Sequence, residues 1–334
     1  GYVFAKTIAI LLLSYIMFVL GSMKLLPFSQ ISLIILVAIF AIGSYFIAKR
    51  HSGERRDSRI WSWRFWTSQN DKRFLWILIF EEILFLASFL FLVFMRGQEP
   101  SIRGLEKFMD FGFMNSILRS RYFPALDMWY SGDPTSPSGY PINYYYFGHL
   151  TGAVLIKLSA VKAAIGYNLI LATIFAQSVT LVFSLVANLI HLFKKTSIYL
   201  AAFFGLLGSY IVNLGGNLHT IYLFTKGYPN ENPIPFWEIL STYNPTKYWY
   251  PNATRFIPFT IHEFPSYSYV VADLHGHVFD IPFVLLTLAI LLVIFISAKT
   301  TEKNANKKTV ILNLFQDLLS KIRFRNGSTS SPSA

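Results

Sequence analysis

The chain has 334 residues, 54% of them hydrophobic and 17% aromatic, while only 14% are charged and the formal net charge is +12. A soluble domain carries about 25% charged residues. This composition therefore excludes a cytosolic globule and a disordered chain, and the lack of any Cys excludes a disulfide-stapled secreted domain.

Apolar runs of roughly 20 residues cross a bilayer as helices, and the sequence reads as an all-α polytopic membrane protein. Spans are expected at 2–21, 31–48 and 74–95. Between the second and third lies a stretch with Lys49, Arg50, Arg55, Arg56, Arg59, Arg64, Lys72 and Arg73. The positive-inside rule makes that stretch cytoplasmic, with Trp61, Trp63 and Trp66 at headgroup level. The third span then delivers residues 96–149 to the external side.

Further spans are expected at 168–193, 197–214 and 281–297, the last followed by Lys299, Lys303, Lys307 and Lys308. Those lysines make the tail at 299–334 cytoplasmic, so residues 215–280 form a second external loop. Both ends of the stretch 150–214 are then external, and its crossings must be even in number. The short apolar piece 150–165 carries Lys157 and Lys162 and is read as re-entrant or interfacial. A helix is expected from Thr309 into Phe324, and the absence of an initiator Met at Gly1 reads as a piece of a longer protein. The basic residues form no groove-reading motif, so nucleic acid is not an expected partner.

Chemistry-bearing residues concentrate in the two external loops. Glu106 and Asp110 stand four apart and on a helix share a face. Such a pair binds a divalent cation or supplies a general base, and it is equally a solvated face with Glu106 paired to Lys107 or Arg103. Asp127, Trp129, Tyr144, Tyr145 and Tyr146 make either an aromatic belt or a stacking platform for sugars, with His149 beside them at the membrane edge. In the second loop Asp273, His275 and His277 alternate, which on extended backbone turns them to one side. One carboxylate and two imidazoles are a partial shell for a metal such as Mg, Mn or Zn, with Glu263 and His262 as additions. Arg255 is a bidentate partner for phosphate or an interfacial anchor. Glu81 and Glu82 sit within a span and need a cation, a proton or a polar interior.

The motifs PINYYYFGH, GLEKFMDFGFMNSILRS and EFPSYSYVVADLHGHV resemble those of the archaeal and chloroflexal YYY membrane proteins, also classed as a domain of unknown function. Their arrangement is similar to the GT-C class of glycosyltransferases, which implies a GT-C-like helical bundle with two long external loops. The resemblance implies a donor sugar on a polyprenyl-phosphate carrier in the membrane lipid. It places Glu106 and Asp110 where that class keeps its acidic base or metal ligand. Met128 departs from the family, which usually has Pro there, and GDPTSPSGY is a longer insertion. The leading expectation is a multi-pass glycosyltransferase of the cell membrane whose two external loops meet in one cavity. The alternative is a transporter or lipid-binding protein without chemistry, in which Glu81 and Glu82 would be the working residues.

Overall fold

The structure is a computed structural model and describes residues 2–53, 72–130, 132–194, 197–228 and 232–304. Among the described residues it is helical, with three isolated β-bridges and no strand. The helices are α1 (Phe4–Ser22), α2 (Gln30–Gly53), α3 (Lys72–Gln98), α4 (Lys107–Arg119), α5 (Phe147–Ser159), α6 (Ala163–Lys194), α7 (Ile198–Leu214), α8 (Pro265–Val271) and α9 (Gly276–Asn304). Of these, α1, α2, α3, α6 and α9 are long and apolar enough to cross a membrane, and α7 is a shorter apolar helix. Helices satisfy their own backbone groups, as a bilayer core demands, and the chain is an all-α polytopic membrane protein.

Two compact units divide the chain, residues 1–285 and 286–334. The described part of the second is the remainder of α9, where Ile290, Leu291, Ile294 and Phe295 are exposed. Arg55, Arg56, Arg59, Arg64, the Trp61, Trp63 and Trp66 cluster and the helix expected after Thr309 lie outside the described residues.

Within the first unit α6 is the axis, with 78% of its span buried against 11% for α3. It packs against α3 on one side and α7 on another. The α7 contact follows from sequence: Ala201, Gly205, Ser209 and Asn213 recur every four residues and are all buried. Small residues let two backbones approach where lipid gives no hydrophobic drive. A Cβ at Gly205 would come within 2.8 Å of the Phe183 ring, and Ser209 Oγ donates to the Val179 carbonyl at 2.8 Å.

α5 is only 13 residues long, about 20 Å at 1.5 Å per residue, against a hydrocarbon core of about 30 Å. Ala160 in the left-handed region ends it. The Lys157 ammonium turns inward, donating to the Leu118 carbonyl at 2.5 Å and lying 4.9 Å from the centre of the Phe28 ring. α6 starts at Ala163 rather than near 168, because Tyr167 and Asn168 are polar anchors used inside the bundle.

The amphipathic α4 lies between two cores. Met114 joins a cluster with Leu92, Tyr167, Phe175, Tyr269 and Phe279. Phe113 and Ile117 join a second with Met17, Leu33, Phe123, Leu150 and Val154. The face that carries these side chains also carries Lys107 and Asp110, both buried.

Candidate functional site

The segment between α3 and α5 and the segment between α7 and α9 both send side chains to the start of α4. Asp110 is fully enclosed, and its Oδ1 lies 2.8 Å from His149 Nε2, held in the first turn of α5. Burial lowers the His149 pKa to about 4, so the ring is neutral and donates its Nε2–H to the carboxylate. Its Nδ1 has no partner among the described residues.

Asp273 reaches the same point from the turn between α8 and α9. That turn is pinned by Tyr167 of α6, whose hydroxyl accepts from the Leu274 amide at 3.1 Å and donates to the Ala272 carbonyl at 3.3 Å. Ala272 adopts a left-handed conformation (φ 57°) that stops α8 and swings the chain back. The Asp110 and Asp273 carboxyls lie close enough to feel each other's charge. Burial raises the pKa of both, and the Asp110 charge raises that of Asp273 further. The free oxygens, Asp110 Oδ2 and Asp273 Oδ1, are buried without a partner.

Glu106 stands at the surface where Asp110 is enclosed. It caps α4 with non-helical backbone, and its side chain is 56% exposed. Its Oε2 lies 3.3 Å from His275 Nδ1. The other ring nitrogen of His275 lies 2.7 Å from the Tyr144 hydroxyl and 2.9 Å from that of Tyr145. Tyr144 and Tyr145 stack with centroids 3.9 Å apart, and both lie nearly parallel to the His275 ring. Burial pushes the Tyr144 hydroxyl pKa up, which keeps it a donor. Gly276 makes room for this stack, since a Cβ there would fall 2.6 Å from the Tyr145 ring.

The expectation that Asp273, His275 and His277 face one side is corrected. The extended segment stops at His275 because α9 begins at Gly276, and a helix turns successive side chains by about 100°. Each of the three finds its own partner: Asp273 meets Asp110, His275 meets Glu106, and His277 meets Glu263 at 2.9 Å and Ser268 at 3.1 Å. Among the described residues no group of three His, Asp or Glu side chains stands ready to hold a metal ion. Asp110 Oδ2 and Asp273 Oδ1 are the carboxyl oxygens left over for a hard divalent ion of the Mg or Mn type, which binds through one or two carboxylates.

Other expected residues stand apart. Asp127 closes its own turn, accepting from the Trp129 and Tyr130 amides at 2.7 and 3.1 Å, and Trp129 is exposed. Tyr146 precedes α5 and meets Phe18 edge-on. Arg255 donates to Thr254 Oγ1 and lies in the field of Tyr267. Met128, the departure from the family pattern, packs directly on Gly112 of α4 and seats the loop there. Glu82 is paired with Lys6 of α1 at 2.7 Å.

Sequence reasoning missed a cavity of about 1270 Å³ beside the acid pair. Apolar residues of α3, α7 and α8 line it, together with Trp249 and Tyr250 of the segment between α7 and α8. Arg96 and Lys107 also line it, although both are buried. One signal was available: Lys107, Asp110, Met114 and Ile117 follow helical spacing, which puts the lysine on the inner face.

The model of the family described as uncharacterized membrane protein (DUF2298) matches residues 12–320. The chain belongs to that family, the one with the YYY motif. No curated protein and no solved structure matches the chain.

Proposed function

For this member of the DUF2298 family of membrane proteins, we propose transfer of a sugar from a polyprenyl-phosphate carrier to an acceptor at the external face of the cell membrane. The observation that carries this reading is the meeting of Glu106 and Asp110 with Asp273 and His275 beside an apolar cavity. Glycosyl transfer needs a base for the acceptor hydroxyl, a platform for the sugar and a route for the lipid tail.

Glu106 is the base in this reading. Asp110 is fully enclosed and an acceptor cannot reach it, whereas Glu106 is exposed and held by His275. The acceptor hydroxyl gives its proton to Glu106, and its oxygen bonds to the anomeric carbon. The bond from that carbon to the carrier phosphate breaks, and the phosphate leaves with the electron pair. Tyr144 and Tyr145 stack on the sugar, and Asp110, Asp273 and His149 position the start of α4. Asp110 and Asp273 are the residues that would hold a divalent ion. Bound there, such an ion would supply positive charge near the phosphate.

The test is transfer of radiolabelled sugar from a polyprenyl-phosphate donor in membranes containing the protein. A positioned general base contributes about 10²–10⁴-fold, so Glu106→Gln should lower the rate by about that factor with folding retained. Unchanged transfer in Glu106→Gln removes the base assignment. Lipid binding with no transfer from any such donor favours the alternative, a lipid-binding protein without chemistry, which shares the cavity.

A further inference from the structure

We infer that the cavity beside the acid pair binds a lipid with a phosphate head, its head on Lys107 and Arg96 and its tail along the apolar wall. This rests on the transferase reading only for the identity of the lipid as the sugar carrier. The binding site itself stands on separate observations.

Lys107 is 9% exposed, lines the cavity, and makes no hydrogen bond or ion pair among the described residues. Arg96 is 7% exposed and commits its Nε to Asn168 at 2.9 Å and one Nη2 proton to the Ser101 carbonyl at 3.3 Å, which leaves donors over. Two buried cations on one wall are costly unless an anion joins them. Glu99, the acid on the wall, accepts from the Ser101 amide at 3.2 Å and points its field at Arg96 from an exposed position. Neither cation makes an ion pair with a carboxylate among the described residues, and Asp273 and Glu99 act on Lys107 only through their fields. An anion in the cavity would meet both cations, and a phosphate suits them.

The rest of the wall specifies the tail. Phe91, Leu92, Met95, Leu214, Trp249 and Tyr269 present apolar surface. The volume of about 1270 Å³ exceeds the roughly 300–1,000 Å³ that encloses a drug-sized ligand. Free phosphate would leave that surface unfilled, and a neutral lipid would leave Lys107 unpaired. A phosphate-headed lipid satisfies both.

The experiment measures binding to the full chain in detergent micelles, with polyprenyl monophosphate as the probe. Polyprenol, inorganic phosphate and phosphatidylglycerol serve as competitors. Lys107→Gln should weaken polyprenyl monophosphate at least tenfold and leave polyprenol binding unchanged. Lys107→Arg should restore most of the loss, and Leu214→Trp should weaken the lipid by filling the cavity. Displacement by phosphatidylglycerol at matching affinity keeps the site and assigns it to bulk anionic lipid. Displacement by inorganic phosphate at matching affinity overturns it, since the tail would then contribute nothing. Unchanged binding in both Lys107→Gln and Leu214→Trp also overturns it. Should Lys107→Gln fail to fold, Leu214→Trp and the competitors still decide. Glu106→Gln should bind the lipid as the parent does, so lost transfer with intact binding counts against the transferase reading alone.

Discussion

His275 Nδ1 lies 3.3 Å from Glu106 Oε2, which joins the cap of α4 to the residue before α9. An exposed pair of this kind adds about 0–1 kcal/mol to stability. In a double-mutant cycle, Glu106→Gln and His275→Asn should each shift thermal unfolding by less than about 1 kcal/mol. Their effects on transfer should not add, because one removes the base and the other its orienting partner. Additive losses would mean that the two residues act separately.

His219 gives a pH prediction. It is 3% exposed and sits between the Tyr248 and Tyr228 hydroxyls at 3.1 and 2.8 Å. Burial depresses its pKa to about 4, against about 6.5 when unfolded. The unfolded chain therefore binds the extra proton first, and stability falls as pH drops from about 6.5 towards 4. The loss should reach roughly 3 kcal/mol, and His219→Gln should flatten it in unfolding curves recorded across that range.

The pair Lys6–Glu82 predicts an asymmetry between single and double substitution. Its 2.7 Å contact lies within two candidate spans, with Lys6 also 4.0 Å from the centre of the Phe85 ring. Lys6→Met should destabilise by about 3 kcal/mol, because it strands Glu82. Lys6→Met with Glu82→Leu should recover most of that loss in detergent unfolding. A double variant as damaged as the single one would give Glu82 a duty beyond pairing.

The seam between α6 and α7 predicts a steric cost. A side chain at Gly205 meets the Phe183 ring and carbonyl at 2.8–2.9 Å. Gly205→Leu should lose about 1–3 kcal/mol from overpacking. Phe183→Ala in the same chain should relieve part of it, and the cycle is read by thermal unfolding.

Orientation is open to a clean labelling test, since the chain has no Cys. Ser138 is exposed in the segment that the positive-inside rule expects outside, and Ser58 stands among the arginines that the same rule expects in the cytoplasm. A membrane-impermeant thiol reagent added outside should modify Ser138→Cys and spare Ser58→Cys. The reverse pattern would invert the protein and move the site to the other face.

The spans were legible where apolar residues run uninterrupted, as in α3 and α9. Legibility failed where polar side chains serve the interior. The span expected to open at Asn168 already opens at Ala163, and Tyr167 and Asn168 lie inside α6, where Tyr167 holds the turn before α9 and Asn168 holds Arg96. The candidate site was legible as residue types but not as pairings. Asp110 and Asp273 are far apart in sequence, and their contact depends on a left-handed residue, Ala272, that no spacing rule locates. The spacing of Glu106 and Asp110 did not tell their exposure apart, since Glu106 is the cap of α4 and Asp110 lies in its buried first turn.

The place of α4 between two packed clusters has a consequence for biosynthesis. Met114 needs the core built from α6 and α8, while Phe113 and Ile117 need the one built from α1, α2 and α5. Neither cluster alone can set the angle at which Lys107 and Asp110 point. The partner carboxyl of Asp110 is made only when the ribosome has passed Asp273. A nascent chain stalled before Asp273 would hold its earlier helices in the bilayer and still lack the second carboxyl beside Asp110.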